Sequence, residues 1–159
     1  METMKIPARA DVAAQDKWAI EDLFATDDDW RAALAAAKEF IPRVSAFCGR
    51  LGESAETLLD YLRLDDEISL AFDALVHYAQ RKSDEDTRVA AYQEMVSQVT
   101  RLAVELQSAA AFQTPELLAI LDDTLEGFYQ AAPELELYRR NIDRVRRRRE
   151  HVLSDKEEA

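Results

Sequence analysis

The residues whose type and spacing could do chemistry are His77, His151, Cys48, several runs of carboxylates, and the arginines at Arg144 and Arg146 to Arg149. A zinc hydrolase of the common kind needs two histidines four residues apart on one helix, so that both imidazoles meet one metal while an adjacent glutamate activates its bound water. Two histidines separated by most of the chain cannot supply that pair, so no catalytic or metal-binding residue is assigned. His77 sits in a helical stretch with apolar neighbours and reads as a structural histidine, and His151 follows Glu150 but lacks the partners of a metal site. Cys48 has no identifiable base and reads as a small buried hydrophobe, and neither a Gly-x-Ser-x-Gly elbow nor a glycine-rich phosphate loop occurs. The carboxylate runs Asp27-Asp28-Asp29, Asp65-Asp66-Glu67, Asp84-Glu85-Asp86 and Asp122-Asp123 are each read as the start of a helix, where they complement the dipole, rather than as an acid and base pair.

The stretch RVRRRREHVLSDKEEA (144–159) stands out in a chain of net charge −12. Residues 139–159 carry eight Lys or Arg against five Asp or Glu, a balance of +3, which leaves −15 on the remainder. A nucleic-acid patch would interleave aromatics and would not face so acidic a body, so nucleic acid is not an expected partner. Basic turns at the C-terminal end of a helix, complementing its dipole, are the simplest reading, and an inter-domain contact is the other.

With 159 residues the chain has enough length for one core without a metal or disulfide staple. A lone cysteine suits a reducing compartment, and the absence of a signal-peptide-like or membrane-spanning apolar run points to a cytoplasmic protein with no membrane partner.

Three Gly and four Pro amid abundant Ala, Leu, Glu and Arg make a helix-former's composition. Residues 1–16 read as an extended or partly ordered lead-in and 17–153 as one helical domain. Thr26 with Asp29 signals a first helix whose apolar face is Trp30, Leu34, Ala37, Ile41, Val44 and Cys48, kinked or divided at Pro42 and closed by Gly49 and Gly52. Ser54 caps a second helix, and Asp65-Asp66 starts or continues a third as far as a break at Lys82-Ser83. Val89, Tyr92, Val96, Val99, Ala103, Leu106 and Ala110, with Leu102 beside them, predict a long central helix near 84–112. Thr114-Pro115-Glu116 starts a short helix, and Pro133 opens the last one through Leu135, Tyr138, Ile142 and Val145. The expected fold is all-α, a bundle of about six or seven mostly antiparallel helices, with a solenoid as the second choice.

Ser154 followed by Glu157 is a capping box, useful where a helix follows, so residues 154–159 read as the start of a further domain at a junction. The order Ile6-Pro7 with Arg9, KWAIEDLFATDDDW (17–30), CGRLGES (48–54), HYAQRKSDEDT (77–87), FQTPELL (112–118) and ELYRRNIDRVRRRREHVLSDKEEA (136–159) resembles the N-terminal region of the oligoendopeptidase F family, zinc metallopeptidases related to thimet oligopeptidase. The resemblance implies a mostly helical enzyme that cleaves oligopeptides in an enclosed channel, with zinc held by an H-E-x-x-H helix and a later glutamate. All of those groups would belong to a catalytic domain after Leu153. The expected role is therefore a non-catalytic helical domain, inactive by itself, that lines the channel or acts as its lid. Its partners would be the catalytic domain and oligopeptide substrate, with weak self-association through apolar surface left uncovered. A free-standing helical interaction or regulatory module is the alternative.

Overall fold

The computed structural model describes residues 7, 9–147 and 149. Three short 3₁₀ turns (Arg9–Asp11, Ala14–Asp16, Ile20–Asp22) lead into α1 (Asp27–Ala37), which starts where the Thr26 hydroxyl oxygen accepts the Asp29 N–H at 3.1 Å. The chain divides at Lys38-Glu39 before α2 (Phe40–Ser45), which places Pro42 in the first turn of α2, where its missing N–H would have had no helical partner. Gly49 then takes φ +80°, a left-handed turn that glycine adopts without strain.

Ser54 caps α3 (Ala55–Glu85), its hydroxyl oxygen accepting the Thr57 N–H at 3.1 Å. This helix runs 31 residues without interruption, a rod of about 46 Å. The expected break at Lys82-Ser83 is absent because both residues find tertiary partners. The Lys82 ammonium pairs with Asp27, and the Ser83 hydroxyl accepts Gln93 Nε2 at 2.8 Å. The long helix expected near 84–112 is α4 (Ala90–Ala109), which begins later and is shorter than α3. Its buried line is Met95, Val99, Leu102 and Leu106, turned slightly from the expected seam because α4 packs against both α3 and α2.

Thr114 does not cap α5 (Gln113–Ala119), which starts two residues before the expected first position at Pro115 and has no side-chain cap. α6 (Asp122–Ala131) follows, then a 3₁₀ turn at Pro133–Tyr138 and α7 (Arg139–Arg146). All regular elements among the described residues are helical. The described residues hold seven α-helical segments, of which five reach eight residues, so the expected count is met there only with the short α2 and α5 included.

Two apolar clusters form along α3. Leu58, Leu59, Tyr61, Leu62 and Leu64 pack with Leu51, Leu117, Ile120, Leu125, Tyr129, Leu135 and Ile142 at one end. Leu75, Tyr78 and Ala79 pack with Trp30, Leu34, Met95, Val99 and Leu102 at the other. Trp30 is wholly buried and its indole N–H donates to the Leu75 carbonyl at 2.9 Å. Phe40 and Ile68 touch both clusters, and the middle of α3 between them is the least covered part of the rod.

Candidate functional site

The sequence candidates scatter. His77 is exposed, since Leu75, Tyr78 and Ala79 turn the buried face of α3 away from it, so it is not the satisfied interior histidine expected. Cys48 is exposed as well, because the turn after α2 places Phe47 against the core instead. Among the described residues no group of three or more His, Cys, Asp or Glu side chains is placed to hold a metal ion, so these residues do not fit a zinc site. His151 and the capping box Ser154 to Glu157 lie outside the described residues.

Two of the four carboxylate runs are not helix starts. Asp27-Asp28-Asp29 and Asp122-Asp123 do open α1 and α6. Asp65-Asp66-Glu67 lies in the middle of α3, where packing on both sides overrides the local preference for a new start. Asp84-Glu85-Asp86 closes α3. Asp86 there accepts the Arg88 N–H at 3.0 Å and its guanidinium at 2.8 and 2.7 Å, which hold its carboxyl down at about 2.

The arginine run is built into the corner where α5, α6 and α7 meet. Arg146, with only 10% of its side chain exposed, donates to the Leu117 carbonyl at 2.7 Å and pairs with Asp122. Arg149 donates to the carbonyls of Leu118 and Ile120. Leu117 and Leu118 belong to the last turn of α5, whose carbonyls have no partner within their own helix, so the two arginines satisfy orphan acceptors at the negative end of a dipole. The helix complemented is α5, not the helix that carries the arginines. Arg144 and Arg147 are exposed.

Next to this corner the CGRLGES loop forms a small anion cradle. The Gly49 and Leu51 N–H groups both donate to the Glu116 carboxylate, the second at 3.0 Å to Oε2, and Leu51 is wholly buried. Glu116 looked like a first-turn acid in the sequence, and a partner 65 residues away carries no local signal.

A third cluster ties the lead-in to the rod. Arg9 pairs with Glu85 and donates to Glu21 at 2.9 Å and to the Trp18 carbonyl at 3.2 Å. Asp27 accepts the Lys82 ammonium and the Tyr78 hydroxyl, the latter at 2.8 Å. Burial works against charge on both Asp27 and Lys82, but the hydrogen bonds outweigh it and hold the carboxyl below its usual range and the ammonium above. These contacts bind and position. None brings a nucleophile to a base.

The profile of a family described as Oligopeptidase F matches residues 116–159. Over 155 residues the chain is 37% identical to oligopeptidase PepF of Bacillus subtilis, covering 98% of this chain and 23% of that protein. It is 35% identical over 139 residues to a chromosomal oligoendopeptidase F of Lactococcus lactis subsp. cremoris, covering 86% of this chain and 23% of the relative. A crystal structure of oligoendopeptidase-F from Enterococcus faecium superposes with a TM-score of 0.73 at 25% identity, over 83% of this chain and 25% of that one. A crystal structure from Chlamydophila abortus superposes with a TM-score of 0.83 at 22% identity, over 97% and 26% respectively, and shows the shared fold. The chain spans about a quarter of the length of the curated relatives it matches.

Proposed function

We propose that the chain is the N-terminal region of a member of the oligoendopeptidase F family, and that it forms the non-catalytic helical domain of a zinc metallopeptidase that hydrolyses oligopeptides. The observation that carries this reading is the match over nearly the whole of this chain to about a quarter of each relative. The zinc, its H-E-x-x-H ligands and the general base would be supplied by a catalytic domain that begins near Ser154. Consistent with this, Asp27, Asp86 and Glu116 are engaged in structural contacts, the first two as clasps and the third as a loop anchor.

In this reading residues 17–153 form part of the channel wall or its lid and restrict entry to short, extended peptides. The α5–α6–α7 corner supports it, because Arg146 and Arg149 fix the last described turn against α5, giving the following domain a rigid point of departure. No helix among the described residues is long and apolar enough to cross a membrane, and a cytoplasmic setting goes with the single unpaired cysteine. The test is hydrolysis of an internally quenched oligopeptide with zinc added. The chain alone is expected to be inactive and to restore cleavage when mixed with the separately prepared catalytic part. Zinc-dependent cleavage by this chain alone would refute the assignment.

A further inference from the structure

Between the middle of α3 and the C-terminal half of α4, where the two core clusters meet, lies an open cleft of about 340 Å³. Its apolar lining includes Val44, Ile68, Phe72 and Leu106. Asp65 and Tyr61 also line it, and the half-buried Asp65 receives no hydrogen bond or ion pair from any described residue. Asp73 adds a second carboxylate, Gln107 and Gln113 are uncharged, and among the described residues no Lys, Arg or His lines the cleft.

A carboxylate partly withdrawn from water onto an apolar wall is unfavourable unless a cation meets it. Burial, and then the neighbouring Asp66, push the Asp65 carboxyl above its ordinary range, which agrees with that unmet demand. The other ligand classes fit poorly. Anions would meet two carboxylates, a metal would find no third His, Cys, Asp or Glu among the described residues, and a purely apolar group would bury Asp65 further with no compensation. A long aliphatic stem ending in a cationic head satisfies both features at once.

We propose that this cleft binds the lysine or arginine side chain of an oligopeptide, the stem lying against Ile68, Phe72 and Leu106 and the charged head meeting Asp65. It rests on the oligopeptide reading above only for the source of the peptide. A second carboxylate at Asp73 raises the local preference for cationic peptides over acidic ones.

The test uses the isotopically labelled 159-residue chain and an acetylated, amidated peptide Ala-Leu-Lys-Leu-Ala, against the same peptide with norleucine in place of lysine. Saturable amide shifts are expected along 61–73 and 103–113, with affinity for the lysine peptide about tenfold or more above the norleucine peptide. The same factor should be lost in Asp65→Asn, whose amide spectrum also reports that the fold is intact. The norleucine comparison needs no variant and stands even if Asp65→Asn does not fold. Equal affinity for the two peptides, undiminished binding by a folded Asp65→Asn, shifts confined to another surface, or no saturation by roughly 5 mM peptide would overturn the proposal. Because the assay measures binding to this chain without catalysis, its failure leaves the peptidase assignment standing, and failure of the cleavage test leaves this site standing.

Discussion

Glu116→Ala should unfasten the CGRLGES loop. In the folded chain the Glu116 carboxylate receives two backbone donors, the N–H groups of Gly49 and Leu51. A hydrogen bond to a charged group contributes about 1.5–3 kcal/mol, and a buried donor left unmade costs about 1–3 kcal/mol. Leu51 is wholly buried whereas Gly49 is exposed, so only one of the two donors is fully stranded when the carboxylate is removed. The expected loss is about 2–4 kcal/mol, a fall in melting temperature of roughly 5–15 °C for a domain of this size. Glu116→Gln keeps one acceptor oxygen and should lose about half as much. Gly49→Ala forces a non-glycine residue to φ +80° and should cost about 1 kcal/mol. Combined with Glu116→Ala it should add less than its separate effect, because both act on one loop. Urea unfolding followed by circular dichroism, with an unchanged m-value, measures all four. A loss below about 0.5 kcal/mol for Glu116→Ala, the range of an ordinary surface change, would refute the cradle as a stabilising contact.

Arg146→Met should destabilise by about 1.5–3 kcal/mol through the lost bond to the Leu117 carbonyl, with the mostly exposed Asp122 adding little. Arg144→Met, on an exposed side chain, should change stability by less than about 0.5 kcal/mol, and equal effects of the two would contradict the corner's geometry. Asp65→Asn should raise the urea midpoint at pH 7. The folded Asp65 carboxyl lies above its ordinary 3.8, so the folded state holds its proton more tightly than the unfolded chain, and wild-type stability falls as pH rises from about 3.8 through the folded value. The groups around it are Tyr61, Asp66, Asp73, Gln107 and Gln113, with no cation among the described residues to reverse the sign. The advantage of Asp65→Asn should therefore shrink as pH is lowered through that window, and a variant less stable than wild type at pH 7 would contradict the argument.

The local signals in the sequence translated well where a single side chain decides the outcome. Thr26 and Ser54 cap the helices they announce, and Pro42 falls in a first turn after the chain divides. The resemblance carried by the motifs is matched by the relatives and by the shared fold. Readings failed where a distant residue satisfied a group that looked like punctuation. Lys82-Ser83 read as a break because Asp27 and Gln93, their partners, are not local. Mid-helix Asp65-Asp66 reads as either a start or a continuation, and the continuation holds because packing along α3, which has no local signature, decides between them. His77 and Cys48 stand beside apolar neighbours in the sequence, and those neighbours, Phe47, Leu75, Tyr78 and Ala79, take the interior in their place. The roles of Glu116 and Arg146 depend on contacts across 65 and 29 residues, for which residue type alone offers no partner.

Sequencing the native transcript through and beyond the codon for Ala159 tests the central claim most directly. The account predicts an open frame that continues into a helix bearing H-E-x-x-H and a later glutamate. A stop codon directly after Ala159 would contradict it and would favour a free-standing helical module.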